Sequence, residues 1–236
     1  KINNPKKKIL LTGSGKVAGG AREILDHLKI KKVDVKAFLE QDFEGPVYCN
    51  IDVLDYNKRK DGKRLNNKDF YQNPEEYVSD FMRFARVTDF FIAGHFYGNG
   101  APVFFTKEDA AKPDFKINLI ADISCDINIP IASTIRSSTI AEPFYGYDPE
   151  TGGEVDFKKK GAITVMAVDN LPCELPKDAS EGFGEMFLKN VLPAFFNGDK
   201  DEVLKRAKMT ENGKLTERFN YLQNYVDEEP KPTANV

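Results

Sequence analysis

A glycine-rich segment near the start of the sequence carries the clearest chemical signal. It reads Gly13-Ser14-Gly15-Lys16-Val17-Ala18, follows a short apolar run at 9–12, and precedes apolar residues at helical spacing up to Leu28. This order is typical of the fingerprint GxGxxG/A: one glycine forms the turn, the next admits a pyrophosphate, and the small third residue lets the helix approach the strand. Backbone N–H groups and the helix dipole then face the phosphates. The pattern predicts a dinucleotide site; the alternative is a purely structural glycine turn.

The residues that follow the fingerprint bear on which dinucleotide would bind. An Asp or Glu about twenty residues further on usually holds the ribose hydroxyls. The sequence predicts a second strand over residues 33–38, with Asp34 pointing along it and Lys36 near its tip. A cation there suits a 2′-phosphate, which favours NADP and leaves NAD as the alternative. An exposed strand-end lysine without a ligand is the equally weighted interpretation of Lys36.

Three further predicted strands end in residues that are typical of ligand sites. Because the carboxyl ends of parallel strands meet at one edge of a sheet, we expect these residues to lie near the nucleotide. His95 has the residue type for acid–base chemistry, although a hydrogen-bonded structural histidine is the more common case. Asp122 with Asp126 suggests paired carboxylates, or else a turn or helix cap. The candidates are Gly94, His95, Phe96 and Tyr97, then Asp122 and Ser124, then Asp169, Asn170 and Leu171.

These residues need a parallel α/β sheet to bring them together. Strands are predicted at 89–93, 117–123 and 162–168, a short helix at 107–111, a loop or hairpin at 136–160, and a helix through 183–195. Residues 40–80 form a polar excursion whose basic run, 57–64, is expected to be a solvated face or a phosphate or partner contact. A helix is predicted to start after Pro74. We predict a Rossmann-type, doubly wound, mostly parallel domain over residues 1–196 and a helical C-terminal extension and tail over 197–236.

The composition excludes several classes of protein. With 236 residues, 41% of them apolar and 30% charged, the chain can bury a core. A net charge of −3 without a basic stripe speaks against a nucleic-acid partner, and no apolar stretch reaches the ~18 residues of a membrane span. Cys49, Cys125 and Cys173 are too few and too far apart for a disulfide framework or a zinc site. We therefore expect no metal and a reducing, cytoplasmic compartment.

Several short motifs follow one another in an order that is characteristic of one enzyme family. They occupy residues 12–21, 74–77, 93–97, 105–110, 121–124, 139–144, 168–176 and 179–184. In this order the sequence resembles the lysine–2-oxoglutarate reductases, the lysine-forming saccharopine dehydrogenases that make up one half of aminoadipic semialdehyde synthase. The likeness spans roughly residues 8–195, and more distantly it extends to alanine dehydrogenase and transhydrogenase.

The resemblance implies an NAD(P)H-dependent oxidoreductase that condenses lysine with 2-oxoglutarate and reduces the resulting Schiff base to saccharopine. It also implies that residues 13–18 hold the cofactor pyrophosphate. Residues 94–97 and 169–171 would then line the nicotinamide end.

One departure from the family affects the catalytic assignment. In the family a separate N-terminal domain precedes the glycine turn and supplies the substrate pocket with its catalytic lysine and histidine, whereas here the turn begins at Gly13. We therefore expect this chain to be the cofactor-binding part, with lysine, 2-oxoglutarate and saccharopine contacting a further domain, and we assign no catalytic residue. The alternatives are an alanine dehydrogenase-like amino-acid oxidoreductase and a non-catalytic nucleotide- or partner-binding domain. Self-association through a Phe- and Tyr-rich surface is a further hypothesis.

Overall fold

A computed structural model of the chain describes residues 6–64, 66–98 and 100–227. These residues form two compact units, the first ending at Leu171 and the second beginning at Pro172. Residues 228–236 of the predicted C-terminal extension lie outside the described residues. Among the described residues, no helix combines the length and the apolar character that crossing a membrane requires.

The first unit is built around an eight-stranded sheet. Its strand order is β2-β3-β1-β6-β7-β10-β8-β9. The first six strands in this order are parallel, β8 is antiparallel to β10, and β9 is antiparallel to β8. This arrangement confirms the predicted Rossmann-type α/β fold. The strands are β1 (Lys8–Thr12), β2 (Lys31–Lys32), β3 (Val47–Ile51), β4 (Asn57–Arg59), β5 (Tyr77–Ser79), β6 (Phe90–Ala93), β7 (Leu119–Asp122), β8 (Tyr145–Tyr147), β9 (Glu154–Val155) and β10 (Ile163–Met166). The helices are α1 (Lys16–His27), α2 (Val35–Glu40), α3 (Asn67–Gln72), α4 (Met82–Ala85) and α5 (Lys107–Ala110).

The two faces of the sheet bury different side chains because successive strand residues point in opposite directions. Leu11 and Ile92 pack with Ala18 and Leu25 of α1 on one face. The other face carries the larger core, in which the rings of Phe81, Phe91 and Phe104 lie 5.0–5.8 Å apart. The helix predicted from the spacing of Val17 to Leu28 is thus confirmed as α1, although only Ala18 and Leu25 are buried in it.

The predicted strand over residues 33–38 is wrong. Asp34 is instead the N-cap of α2, and its side chain accepts a hydrogen bond from the Ala37 N–H at 2.9 Å. An aspartate that caps free N–H groups outweighs a short alternating pattern. Lys36 therefore lies exposed in a helix and not at a strand tip. β1 has two parallel neighbours, β6 and β3, and β3 comes from the segment interpreted as an excursion.

Other predictions for the first unit were confirmed or corrected locally. The strands near 89–93, 117–123 and 162–168, the helix at 107–111 and the hairpin within 136–160 appear as β6, β7, β10, α5 and the pair β8–β9. The prediction of a helix that starts after Pro74 and runs to Phe84 is wrong. Residues 74–84 contain a short 3-10 helix, then β5, and then the start of α4. β5 pairs with β4 in a separate hairpin.

The second unit is mostly helical. It contains α6 (Pro176–Asn190), a 3-10 helix at Leu192–Phe195, α7 (Val203–Ala207), the hairpin β11 (Thr210–Glu211) and β12 (Lys214–Leu215), a 3-10 helix at Glu217–Leu222, and α8 (Gln223–Asp227). The helix predicted through 183–195 corresponds to α6 and the 3-10 turn that follows it.

Candidate functional site

The glycine turn after β1 is held by close backbone packing. Gly13 has φ of +105°, and a Cβ at this position would lie 2.4 Å from the carbonyl oxygen of Gly94. A Cβ on Gly94 would in turn lie 3.2 Å from the Thr12 carbonyl oxygen and 3.3 Å from the backbone of Ala18. Two glycines and one alanine thus bring the ends of β1 and β6 against the start of α1.

Gly15 faces open space, in contrast to Gly13. It is the N-cap of the 12-residue helix α1, it makes no side-chain cap, and the first turn holds no acidic residue. A Cβ built on Gly15 would meet no atom within 4 Å. The first N–H groups of a helix lack intrahelical partners and favour an anion. The chain therefore fits the pyrophosphate of a dinucleotide here, with Ser14, Lys16 and Val17 exposed around it.

The structure adds two residues to the predicted set: Asn50 within β3, and Asp52 directly after it. Asn50 donates a hydrogen bond from Nδ2 to the Gly13 carbonyl oxygen at 2.8 Å, and the Gly13 N–H donates to the Ile51 carbonyl oxygen at 3.0 Å. β3 is thereby fixed beside the turn, and Asp52 follows it directly. The sequence does show an aspartate at the end of the apolar run of β3. It was missed as a candidate because it lies further from the fingerprint than the usual spacing of about twenty residues.

Asp52 follows the strand that pairs with β1 on this side of the glycine turn, where Rossmann-type folds commonly carry an acidic residue, whereas Lys36 lies in α2. The backbone and side chain of Asp52 are both bonded within its own loop. Its N–H donates to Asp55 Oδ2 at 2.8 Å, and its own Oδ1 accepts from the Val53 N–H at 2.6 Å. The side chain is partly exposed. One carboxylate oxygen is thus fixed by the loop, and the residue stands at the end of the strand next to the glycine turn.

His95 lies after β6 and is buried under the same turn. Its Nδ1 is 2.8 Å from Thr12 Oγ1, and its ring lies 4.3 Å from that of Phe104. Nε2 is buried, and it has no hydrogen-bond partner among the residues that the structure describes. Burial lowers the pKa of the imidazole to about 4, so the ring is neutral at physiological pH. This environment favours a structural histidine over an acid or base that exchanges protons with a ligand.

The two residues after His95 have opposite surroundings. Phe96 is largely exposed, whereas the Tyr97 hydroxyl donates to the Ala101 carbonyl oxygen at 2.6 Å. Both follow β6, which lies on the side of β1 opposite β3. Residues 94–97 thus reach the predicted edge with one ring directed into solvent.

Asp122 ends β7 and organises the loop that follows. Its Oδ1 accepts from Ser124 Oγ at 2.5 Å and from the Cys125 N–H at 3.0 Å, while Oδ2 accepts from Thr134 Oγ1 at 2.7 Å. Because the carboxylate is fully buried and both oxygens are engaged, it serves the loop rather than a ligand. Asp126 keeps partial exposure; burial, and then the charge of Asp122, raise its pKa.

The end of β10 completes the edge. Val168 pairs with Ser138, and the Ser138 N–H donates to the Ala167 carbonyl oxygen at 2.8 Å. Asp169 and Asn170 follow in an exposed turn that ends at Leu171, which is partly buried. The structure therefore gathers the four predicted strand ends at one edge and leaves out Lys36.

The remaining candidates support no separate chemistry. Cys125 donates its thiol to the Ala167 carbonyl oxygen at 3.3 Å, and burial raises its thiol pKa, which disfavours a nucleophilic thiolate. Three cations of the basic run are paired with carboxylates: Lys58 with Asp80, Arg59 with Asp61 and Asp69, and Lys63 with Asp61. Within the described ranges, no group of three or more His, Cys, Asp or Glu side chains is arranged to hold a metal ion.

Comparison with known proteins relates the chain to one group of enzymes. It is 27% identical over 244 residues to rat mitochondrial alpha-aminoadipic semialdehyde synthase, a match that covers 91% of this chain and 26% of the rat protein. The Arabidopsis thaliana synthase is 27% identical over 237 residues, 90% of this chain and 22% of that protein. The Schizosaccharomyces pombe saccharopine dehydrogenase (NAD(+), L-lysine-forming) is 30% identical over 135 residues, 53% of this chain and 33% of that protein. No family model matches the chain.

The chain is a distant relative of these oxidoreductases. It spans about a quarter of the length of the synthases it matches. The likeness to saccharopine dehydrogenases that the motifs indicate is thus borne out at the level of distant homology, and it includes NAD-dependent members.

The buried His95 makes the stability of this saccharopine dehydrogenase relative depend on pH. The folded chain keeps the imidazole neutral down to a pKa of about 4, while the unfolded chain protonates it near the ordinary value of 6.5. The stabilisation is complete above pH 6.5 and is lost as the pH falls towards 4. The free energy of unfolding should fall by about 3 kcal/mol over this range from His95 alone.

Denaturant unfolding from pH 7 to pH 4 measures this loss. The chain has two histidines, so His27→Gln, on the exposed surface of α1, is the matched control for His95→Gln. The control should keep the pH dependence of the wild type, whereas His95→Gln should flatten it. Parallel curves for all three proteins would contradict the assignment.

Proposed function

We propose that this chain binds a nicotinamide adenine dinucleotide at the carboxyl edge of its parallel strands. The observation that carries the proposal is the open N-terminus of α1 at Gly15, beside a turn in which Gly13 has no room for a side chain. A turn that only linked a strand to a helix would need the packing at Gly13 but not the vacant space at Gly15. Homology to NAD-dependent saccharopine dehydrogenases supports the same ligand.

Different residues at this edge would contact three parts of the nucleotide. The N–H groups that open α1 would hold the pyrophosphate, with Lys16 nearby to add positive charge. Asp52 would accept hydrogen bonds from the adenosine ribose, while the loops after β6 and β10 would line the nicotinamide half. When bound, the cofactor supplies or accepts a hydride.

We further propose that this chain takes part in the interconversion of lysine and 2-oxoglutarate with saccharopine. In the reductive direction the lysine amine and the keto carbon lose water to form an imine, and its carbon takes the hydride while its nitrogen takes a proton. The product is a secondary amine and oxidised nucleotide. Support comes from the synthases and dehydrogenases that match the chain, the former over nine-tenths of its length. An assay of NADH oxidation by the polypeptide that contains this chain tests the reaction. Oxidation with lysine plus 2-oxoglutarate supports it, whereas oxidation with pyruvate plus ammonia indicates an alanine dehydrogenase.

A substitution at Gly15 tests nucleotide binding without disturbing the fold. Gly15→Asp places a favoured N-cap residue where there is open space, so the melting temperature should hold or rise. The new carboxylate lies where the pyrophosphate would bind and repels its negative charge. We expect NADH affinity to fall at least about a hundredfold, because a charged hydrogen bond is lost and a repulsion is added. Calorimetric titration with NADH measures the affinity.

Gly13→Ala is the contrasting variant. Its Cβ would meet the Gly94 carbonyl oxygen at 2.4 Å and its φ is positive, so this protein should lose stability first and binding as a consequence. If wild type and Gly15→Asp bind NADH equally, or neither binds it, the proposed site is refuted.

The position of Asp52 favours NAD over NADP. A carboxylate at the end of the strand beside the glycine turn accepts the ribose 2′-hydroxyl and repels a 2′-phosphate. Asp52→Asn keeps an oxygen for the Val53 N–H and removes the charge. We expect it to weaken NADH and improve NADPH, so that their affinity ratio changes by roughly tenfold or more.

Two variants away from the edge control this measurement. Asp34→Asn keeps the helix cap and should leave both affinities unchanged, because Asp34 caps α2. Lys36→Gln should leave NADPH binding unchanged if the exposed lysine makes no phosphate contact. A selective loss of NADPH binding in Lys36→Gln, with no effect of Asp52→Asn, would favour the NADP assignment.

A further inference from the structure

Phe96 is held in an unusual environment for a phenylalanine. Its side chain is 79% exposed, more than any other large apolar side chain described up to Leu171. The residues on both sides are anchored, His95 by Thr12 and Phe104, and Tyr97 by the Ala101 carbonyl oxygen. Both neighbours of Phe96 thus make contacts within the chain, while the ring of Phe96 is exposed to water. Burial of such a ring would stabilise the chain, and within its own unit the ring forgoes this gain.

The location of Phe96 indicates which part of a dinucleotide it would meet. In a doubly wound sheet the pyrophosphate lies at the glycine turn after the first strand, and the two halves of the nucleotide extend to either side. Asp52 follows β3, on one side of β1, and so marks the adenosine half. Phe96 follows β6, on the other side of β1. The ring thus stands on the nicotinamide side.

We propose that Phe96 covers one face of the nicotinamide ring. This inference rests on the proposed function, because it assigns a role within the same nucleotide site. Aromatic rings gain energy by offset stacking, and a phenylalanine face also attracts the positively charged oxidised ring. The loop after the next strand, β7, adds the exposed apolar side chains Ile127 and Ile129 to the carboxylates Asp126 and Asp169 on this side of β1. Phe96 is a binding and positioning residue, and it transfers no proton.

Affinity measurements with two ligands isolate the contact. ADP-ribose carries the adenosine and pyrophosphate of NAD⁺ but lacks nicotinamide. Phe96→Ala should raise the dissociation constant of NAD⁺ roughly fivefold to tenfold and leave that of ADP-ribose unchanged, as expected for the loss of one stacking contact. Phe144→Ala, which removes a half-exposed ring before β8, should change neither. Because Phe96 is exposed, its removal leaves the core intact.

The absence of tryptophan from the sequence provides a second readout. Phe96→Trp places a single indole at the proposed contact, and Phe144→Trp places one at the control position. NAD⁺ does not absorb tryptophan emission, so it quenches and shields the indole only by contact. Saturating NAD⁺ should quench Trp emission in Phe96→Trp and protect it from acrylamide, whereas ADP-ribose should do neither. In Phe144→Trp neither ligand should have an effect.

The outcomes separate the two levels of the proposal. If the wild type binds neither NAD⁺ nor ADP-ribose, the proposed nucleotide site fails. If both bind but Phe96→Ala leaves NAD⁺ affinity unchanged and Phe96→Trp stays accessible, the site survives and the role of Phe96 is refuted. Equal protection by NAD⁺ and ADP-ribose would place the ring against the adenosine half and would also overturn the assignment.

Discussion

The backbone of Gly13 lies against the carbonyl group of Gly94, and the rest of the candidate site depends on that contact. A Cβ on Gly13 would lie 2.4 Å from the carbonyl oxygen, so the two strand ends can meet only where a side chain is missing. Ala18 then packs against Gly94 from the helix side, and this sets the direction in which α1 leaves the turn. The open N-terminus at Gly15 follows from this geometry, because a helix started elsewhere would aim its N–H groups away from the sheet edge.

Local patterns were sufficient for the elements that bury a continuous apolar run or one apolar face. β1, α1, β6, β7 and β10 were predicted because their apolar spacing and their bounding glycines or aspartates agree. The strand over 33–38 failed because Asp34 had two interpretations, as an alternating strand residue and as a helix cap. The cap satisfies N–H groups that a strand at the edge of the sheet would leave open.

The sequence also led to the wrong position for the residue beside the ribose, and the cause lies in the topology of the sheet. A sequence scan assumes that the strand following α1 lies beside β1, yet here β2 is short and β3 takes that place. The ribose-binding position thus moves from residues near Lys36 to Asp52, and no local pattern reports which strand becomes the neighbour. Asn50 shows the same limit, since a polar residue inside a buried strand gains its meaning only when the Gly13 carbonyl group is beside it.

The polar residues at the edge are of two kinds, and the difference bears on the reaction. His95 and Asp122 are buried and bonded within the chain, so they hold loops in place and cannot exchange protons with a ligand. Asp52, Asp126 and Asp169 remain at least partly exposed to solvent.

Reduction of an imine requires a hydride on carbon and a proton on nitrogen, and a bound nucleotide supplies only the hydride. Among the carboxyl groups gathered at this edge, Asp126 is partly exposed and burial raises its pKa. Carboxyl groups alone are a weak basis for binding an amino acid and a dicarboxylic keto acid, because a keto acid with two carboxylates needs cations to hold it. The proposed reaction therefore requires cationic and proton-transferring groups outside this edge, which is consistent with homologues about four times as long as this chain.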